Sequence, residues 1–346
     1  MADVMTGEEL RRVRETRGME PVAFVTFLNE RLGRKYDRSR LSRWESGGER
    51  VPQIVAEVLR AGMADIGAPA GAPARLEHAP AIVVAFANQK GGVGKTQSCV
   101  NTAYLAAKAG KRVLVVDCDP QASATRHFGI DPIQCNEQRK TVARVILDDV
   151  PTADVILPAC DGLLDVLPCG IEMPFEEPVI AGRPNASMLL KAKLAEVADR
   201  YDLMLLDLPP NLGVMTVAGL NATNYVVIPS QTEILSVVGI SMLFRSIKDV
   251  RRTANPNLTV LGILPTLYNA RRTLDQEMLK RLEGTAVSAG IKLFAPIKDA
   301  AEYPKGMAVQ RPALELFPDA PGSEGYRQLA DTLVSLSNAA QEARHG

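Results

Sequence analysis

The sequence predicts an α/β protein, a doubly wound and mostly parallel sheet with a small all-α module at the N-terminus. Three observations predict it. From Ala81 onward, apolar runs of strand length alternate with longer stretches of helical period. Residues 1–65 carry helical spacing and helix punctuation. Between them, Ala68 to Pro80 reads Ala-Pro-Ala-Gly-Ala-Pro-Ala-Arg-Leu-Glu-His-Ala-Pro, which resists both helix and strand. The expected organisation is a helical domain at 1–65, a linker at 66–80 and a large α/β domain at 81–346.

Taken in order, Thr6-Gly7-Glu8-Glu9 has the spacing of a capping box, and Leu10 and Val13 continue one apolar face until Gly18 stops the helix. Pro21 starts a second helix with Val22, Phe24, Val25, Leu28 and Leu32 inward, ending near Gly33. Asp37 to Gly47 reads as a short third helix, and Val51-Pro52 opens a fourth. Beyond the linker, strands are expected at Ala81 to Ala87, Arg112 to Val116, Leu203 to Leu206, Tyr225 to Ile228 and Leu258 to Leu264. Helices are expected at Gln97 to Ala109, Ser187 to Asp199, Val238 to Arg252 and Leu274 to Ala289. Such alternation argues for a sheet covered on both faces.

Composition narrows the function classes. A chain of 346 residues, 46% hydrophobic, can bury a large core. With 40 basic and 40 acidic residues it has no net field, so any nucleic-acid contact must come from local patches. The cysteines Cys99, Cys118, Cys135, Cys160 and Cys169 show no CxxC spacing, and the start of the chain lacks a signal pattern, which points to a reducing cytoplasm. No apolar run approaches the roughly 20 residues of a membrane helix.

The chemistry concentrates after the first strand. Lys90-Gly91-Gly92-Val93-Gly94-Lys95-Thr96 lies between an expected strand and an expected helix, the context of a Walker A phosphate loop. Glycines let successive N–H groups curl toward phosphate oxygens, and the following helix, opening with Thr96 and Gln97, adds its positive end. Lys95 would neutralise the β- and γ-phosphates, and the Thr96 hydroxyl would ligate Mg²⁺. Lys90 is a second cation within the loop, placed to stabilise charge in phosphoryl transfer. Asp117-Cys118-Asp119-Pro120-Gln121 puts two carboxylates at the C-terminal end of a strand, where open α/β sheets hold ligands. Leu203 to Leu206 followed by Asp207 is the Walker B arrangement, a carboxylate that holds Mg²⁺ directly or through water.

These segments resemble the deviant-Walker ParA/MinD family, whose K-G-G-x-G-K-T motif is met at every specified position from Lys90 to Thr96. The resemblance implies a P-loop ATPase that binds ATP and Mg²⁺, with Lys90 to Gln97 as its nucleotide-binding segment. It further implies an ATP-sandwiched homodimer in which Lys90 reaches the partner's phosphates. Asp117 to Gln121 resembles the family's D-x-D-P-Q segment, which makes Asp119 the residue that positions and activates water and places Asp117 near the metal. Leu203 to Pro210 resembles its h-h-h-D-x-P-P segment, and Pro229 to Glu233 fits P-x-Q-x-E, although a plain turn explains the latter nearly as well. Gly262 to Asn269 and Arg311 to Glu315 resemble ParA-type sequences. Pro296-Ile297-Lys298 departs from the family's isoleucine-proline-arginine order, so no adenine-contacting residue is assigned there.

The N-terminal helices resemble the Cro/repressor helix-turn-helix family, whose recognition helix commonly ends in a tryptophan-glutamate-x-glycine run such as Trp44 to Gly47. By that match Trp44 is core, and Arg38, Ser39, Arg40, Ser42 and Arg43 face DNA, where arginines suit guanine edges and phosphates. A helical dimerisation or cargo-docking module with a solvated basic face is the alternative.

The function these resemblances imply is plasmid or chromosome partition. The ATP-bound dimer would grip DNA nonspecifically through basic positions such as Arg245, Lys248, Arg251, Arg252, Arg271 and Arg272, and a ParB-type partner would stimulate hydrolysis. The helix-turn-helix would add specific binding and operon autoregulation, and the protein would be cytoplasmic and nucleoid-associated. The rivals are a MinD-like positioning ATPase that cycles on membranes, an iron–sulfur electron donor of the nitrogenase-reductase type, and an ATP-sensing transcriptional regulator. The first needs an amphipathic C-terminal helix, whereas Leu329 to Gly346 is mostly small and polar.

Overall fold

Apolar runs of five to eight residues, flanked by turn signals, close into strands buried on both faces, and the computed structural model shows where each lies. It describes residues 5–16, 19–32, 34–56, 59, 81–233 and 236–345. The linker expected at 66–80 and the stop signals Gly18 and Gly33 lie outside the described residues. The strands are β1 Ile82–Phe86, β2 Val113–Asp117, β3 Leu157–Ala159, β4 Leu164–Leu167, β5 Leu203–Asp207, β6 Tyr225–Gln231, β7 Thr259–Thr266 and β8 Lys292–Leu293. They form one sheet in the order β3-β4-β2-β5-β1-β6-β7-β8, parallel throughout except for the β3–β4 pair.

Side chains alternate across this sheet with the period of two that a strand imposes. Val83, Ala85, Leu114, Val116, Met204 and Leu206 face one core. That core is filled from the helices Met173–Ala181, Ala186–Ala195, Val214–Ala222, Ser236–Thr253 and Thr273–Ala289 by residues such as Ile180, Leu190, Met215, Leu243 and Leu282. Ile82, Val84, Phe86, Val113, Val115, Leu203 and Leu205 face the other, beneath the helices Lys95–Lys108 and Ser323–His345. The expected doubly wound, mostly parallel sheet is present.

Three strands escape the sequence reading, and all sit toward the sheet edges. β3 has three residues with Pro158 at its centre, tolerable because an edge strand leaves an N–H side unpaired. β8 has two residues. The C-terminal stretch, mostly small and polar over Leu329 to Gly346, packs on the sheet. It is a helix of 23 residues whose Tyr326, Leu329 and Leu333 are buried with Cys99, Val100 and Ala103, so its apolar face completes the core. No described helix is long and apolar enough to cross a membrane. The helix expected over Ser187 to Asp199 ends at Ala195 and is followed by a 3₁₀ turn at Ala198–Arg200.

At the N-terminus, α1 Gly7–Thr16, α2 Pro21–Leu32 and α3 Arg38–Glu45 form with their own apolar cluster, in which Leu10, Phe24, Leu28, Leu41 and Trp44 are buried. The capping box closes reciprocally: Thr6 N–H donates to Glu9 Oε2 at 2.8 Å, and Glu9 N–H donates to Thr6 Oγ1 at 3.2 Å. Val22, expected inward, is exposed, because the buried face of α2 runs through Phe24, Val25 and Leu28. The connection into α3 is tied down by Asn29, whose amide donates to the Tyr36 carbonyl and accepts from the Tyr36 N–H. Residues 53–56 are helical, in line with the expected fourth helix.

Candidate functional site

The phosphate loop leaves β1, whose neighbours are β5 and β6, and enters α4, the helix Lys95–Lys108. Two glycines make the curl. Gly92 and Gly94 have φ of 73° and 76°, a left-handed conformation that disfavours any side chain. Three side chains then fix the loop from outside. The Asn88 amide donates to the Pro229 carbonyl at 2.7 Å, and its oxygen accepts from Lys90 N–H at 3.0 Å. Thr266 Oγ1 donates to the Val93 carbonyl at 2.8 Å, and Ser98 Oγ donates to the Gly94 carbonyl at 2.7 Å. α4 has no side-chain cap, so its first N–H groups face the loop as a concentrated positive end suited to phosphate.

Pro229 explains how β6 extends further than expected. Pairing with β1 ends at Val227, while pairing with β7 runs on to Gln231. The missing proline N–H therefore falls where no β1 partner stands, and the Pro229 carbonyl serves Asn88 instead. The segment Pro229 to Gln231, which a plain turn could explain from sequence, is strand. It carries Gln231 and Glu233 to the rim of the loop, where both accept from Lys90 Nζ, Gln231 at 3.1 Å.

The two lysines have opposite environments. Lys95 is 6% exposed, and its Nζ donates to the Lys90 carbonyl at 3.3 Å. Burial lowers its pKa, against the pull of Asp207 and Asp119. Lys90 keeps 32% of its side chain in solvent.

The acids gather at the C-terminal ends of β2 and β5, which lie side by side with Asp117 opposite Asp207. Asp207 is fully buried, and neither carboxylate oxygen takes a hydrogen bond. Burial, reinforced by Asp117, raises its pKa well above the ordinary carboxylate range, while Thr96 and Lys95 pull it down. Thr96 thus stands close enough to favour the carboxylate without completing a regular hydrogen bond. An orphaned buried carboxylate beside a threonine hydroxyl and a lysine is a donor set that fits Mg²⁺ together with phosphate oxygens. Among the described residues, no cluster of three or more His, Cys, Asp or Glu side chains could hold a metal without such outside ligands.

Asp117, equally buried, has a different task. Its Oδ1 accepts from Asp119 N–H at 3.1 Å, and its Oδ2 accepts from Thr125 N–H at 2.8 Å and Thr125 Oγ1 at 2.7 Å. These bonds brace the turn that carries Asp119, while burial still lifts the Asp117 pKa to about 6. Thr125 also accepts from Cys169 N–H at 2.9 Å, linking the ends of β2 and β4. Asp119 is 8% exposed, with Oδ1 held by Gln121 N–H at 2.9 Å. Gln97, on the first turn of α4, has its amide nitrogen buried without a partner. The supports Asn88 and Thr125 lie outside every motif read from sequence, and Thr266, within the ParA-like segment Gly262 to Asn269, was given no role there.

Away from this cluster, Arg38, Ser39, Arg40, Ser42 and Arg43 are all exposed on α3, while Leu41 and Trp44 turn inward. Arg40 and Arg43 both pair with Glu49, at 3.0 and 3.2 Å, and Arg40 lies over the rings of Tyr36 and Trp44. Arg245, Lys248 and Arg252 are exposed on the helix Ser236–Thr253, where Arg251 is half-buried, and Arg271 and Arg272 are exposed just before the helix Thr273–Ala289.

Residues 81–260 match the family described as an AAA domain, which spans β1 to β6, the phosphate loop and both acidic segments. The sporulation initiation inhibitor protein Soj of Bacillus subtilis is 32% identical over 257 residues, 73% of this chain and 98% of Soj. The chromosome partitioning protein ParA of Caulobacter vibrioides is 31% identical over 259 residues, 74% of this chain and 95% of ParA. The chain belongs to the ParA/MinD family of P-loop ATPases. Among solved structures, cobyrinic acid a,c-diamide synthase of Mycobacterium smegmatis with bound ADP and magnesium is 32% identical, with a TM-score of 0.60 over 73% of this chain and 94% of that one. The names of these relatives cover different activities.

Proposed function

We propose that this member of the ParA/MinD family is a DNA-partition ATPase that dimerises on ATP. The observation that carries the reading is the pair of lysines in one phosphate loop, Lys95 buried toward Asp207 and Lys90 on the solvent side of the rim. A P-loop needs one lysine to neutralise its own nucleotide. A second cation on the rim, with about a third of its side chain in solvent, is available to the phosphates of a second copy, as an arginine finger would be.

In this reading the N–H groups of residues 91–96 and Lys95 bind the triphosphate, with Gln97 on the first turn beside them. Thr96 and Asp207 hold Mg²⁺, with Asp117 behind them. When bound, the ion neutralises developing charge on the β- and γ-phosphate oxygens. Asp119, fixed by the Asp117 brace and by Gln121, orients the attacking water and takes its proton. Lys90 stabilises charge across the dimer interface.

ATP then acts as a switch. The dimer presents a basic surface including Arg245, Lys248, Arg251, Arg252, Arg271 and Arg272 to nonspecific DNA, and hydrolysis stimulated by a ParB-type partner releases it. The protein is accordingly nucleoid-associated. The helices α1 to α3 form a separate helix-turn-helix domain, in which Arg38, Ser39, Arg40, Ser42 and Arg43 read a specific DNA site. Support comes from the exposure of all five and from the buried Leu41 and Trp44 that set the α3 face.

The decisive experiment follows mass in solution with Mg²⁺ and a non-hydrolysable ATP analogue at saturation, together with DNA binding in the ADP, ATP and nucleotide-free states. A dimer that binds random-sequence DNA only with the triphosphate is expected. In a chain beginning at Ala81 this binding should persist while nucleotide-independent site recognition disappears. A full-length chain that stays monomeric with the analogue overturns the reading.

A further inference from the structure

We infer that Glu49 is a positioning residue for sequence reading by α3: its carboxylate aligns Arg40 and Arg43 for base edges and cancels part of the charge that would otherwise seek any phosphate. The inference rests on the helix-turn-helix reading proposed above and names what sets its selectivity. It begins at Gly47, whose φ of 76° is left-handed and turns the chain back after α3. Gly47 N–H donates to the Trp44 carbonyl and Glu49 N–H to the Arg43 carbonyl, both at 3.1 Å, so residue 49 returns to the last turn of the helix. There Glu49 Oε1 accepts from Arg40 Nε at 3.0 Å, and Oε2 accepts from Arg43 Nε at 3.2 Å.

Both guanidiniums have a second support. Arg40 lies 5.7 Å from the Tyr36 ring and 5.8 Å from the Trp44 ring, and Tyr36 is itself tied down by Asn29. Arg43 Nη1 donates to Ser39 Oγ at 3.2 Å. These contacts leave hydrogens on both terminal nitrogens of each arginine, the edge that pairs with guanine O6 and N7. An arginine already held along its inner edge has less freedom to lose when that outer edge meets a base. Side-chain exposures of 46%, 54% and 33% for Arg40, Arg43 and Glu49 leave the bridge open to water, so it contributes little to stability. Its consequence is for binding. The glutamate offsets one arginine charge, which weakens attraction to an arbitrary phosphate, while the geometry that suits a base is kept.

The test uses the full chain with ADP, so that triphosphate-dependent binding stays silent, and a pool of random-sequence duplex DNA from which bound members are amplified and sequenced. Wild type should enrich a guanine-containing site. Affinity for that duplex and for a scrambled one is then read by fluorescence anisotropy between about 50 and 200 mM salt. Glu49→Gln should bind the scrambled duplex more tightly and lose about threefold more of that affinity across the range, the mark of one added phosphate contact. Its preference for the enriched site should fall about tenfold, as when one paired base contact is lost. A damaged fold would instead weaken binding to both. Arg40→Lys keeps the charge without the planar fork, so its preference should fall while its salt dependence stays that of wild type. If wild type enriches a site and Glu49→Gln keeps the same preference, or binds the scrambled duplex no more tightly, this inference is overturned alone. If wild type enriches no sequence, the helix-turn-helix reading falls and takes this inference with it.

Discussion

Replacing Asp207 by asparagine should make the nucleotide-free protein more stable while removing its response to Mg²⁺·ATP. Asp117 supplies the gauge. It is as buried as Asp207 but accepts three hydrogen bonds, and its pKa still rises from 3.8 to about 6. That rise corresponds to about 3 kcal/mol against the charged form. Asp207 has no hydrogen bond and a pKa pushed well above its ordinary value, so its charge is opposed at least as strongly. An asparagine amide in the same place, itself unsatisfied, gives back about 1–2 kcal/mol. The net gain is about 1–2 kcal/mol, or roughly 2–8 °C in Tm for a domain of this size. The sign follows from linkage. An acid whose folded pKa is raised destabilises the fold increasingly as pH climbs from its unfolded pKa of 3.8 toward its folded pKa, and not below 3.8, so the advantage of Asp207→Asn is larger at pH 7.5 and shrinks on acidification as the unfolded chain keeps more of its protons. Differential scanning fluorimetry with EDTA from pH 7.5 to 5 measures it, and adding Mg²⁺ with a non-hydrolysable ATP analogue should reverse the order. A lower Tm for Asp207→Asn at pH 7.5 without nucleotide, or an advantage independent of pH, would refute the reasoning.

Three further outcomes follow from named contacts. Asp119→Ala should bind ATP like wild type and lose measurable turnover, checked by equilibrium dialysis beside phosphate release. Gly94→Ala meets Thr266 only at ordinary contact distance, 3.7 Å, so its penalty is the left-handed backbone at φ 76°, about 1–2 kcal/mol, and a weakened affinity for a fluorescent ADP analogue. Leu333→Ala empties a fully buried position between the C-terminal helix and α4 and should cost about 2–5 kcal/mol in denaturant unfolding, with the phosphate loop sequence untouched.

Legibility in the sequence followed burial and motif density. The central strands declared themselves because a strand covered on both faces must be apolar throughout, as Val113 to Val116 and Leu203 to Leu206 are. The edge strands did not. Leu157-Pro158-Ala159 and Lys292-Leu293 are too short to show a period, and their pairing is decided by what lies beside them. The C-terminal helix went unassigned for a related reason: few large residues at wide spacing suffice when Tyr326, Leu329 and Leu333 meet a ready-made apolar surface. Within the site, the charged residues were readable since their types and spacing are dictated by phosphate and metal chemistry. The bracing roles of Asn88, Thr125 and Thr266 were not, because a side chain that braces a backbone carbonyl or a neighbouring carboxylate needs only one suitable group at one distance, which many residues supply.

Those bracing residues decide which part of the site can move. The loop backbone is tied to β6 through Asn88, to β7 through Thr266, and within α4 through Ser98. The turn bearing Asp119 is tied to Asp117, which Thr125 holds in turn and links to the segment after β4. Cradle and acids are therefore held by the protein's own bonds, which is the condition for electrostatic stabilisation without reorganisation. What remains adjustable is a long side chain on the rim whose partners, Gln231 and Glu233, belong to the same subunit and are accessible to water. A switch that must respond to one additional phosphate gains most when its moving part is small and its scaffold stiff, because little of the phosphate's binding energy is then absorbed in ordering the protein. In the proposed reading Lys90 is that part, whereas Lys95 is buried and its Nζ bonds the Lys90 carbonyl.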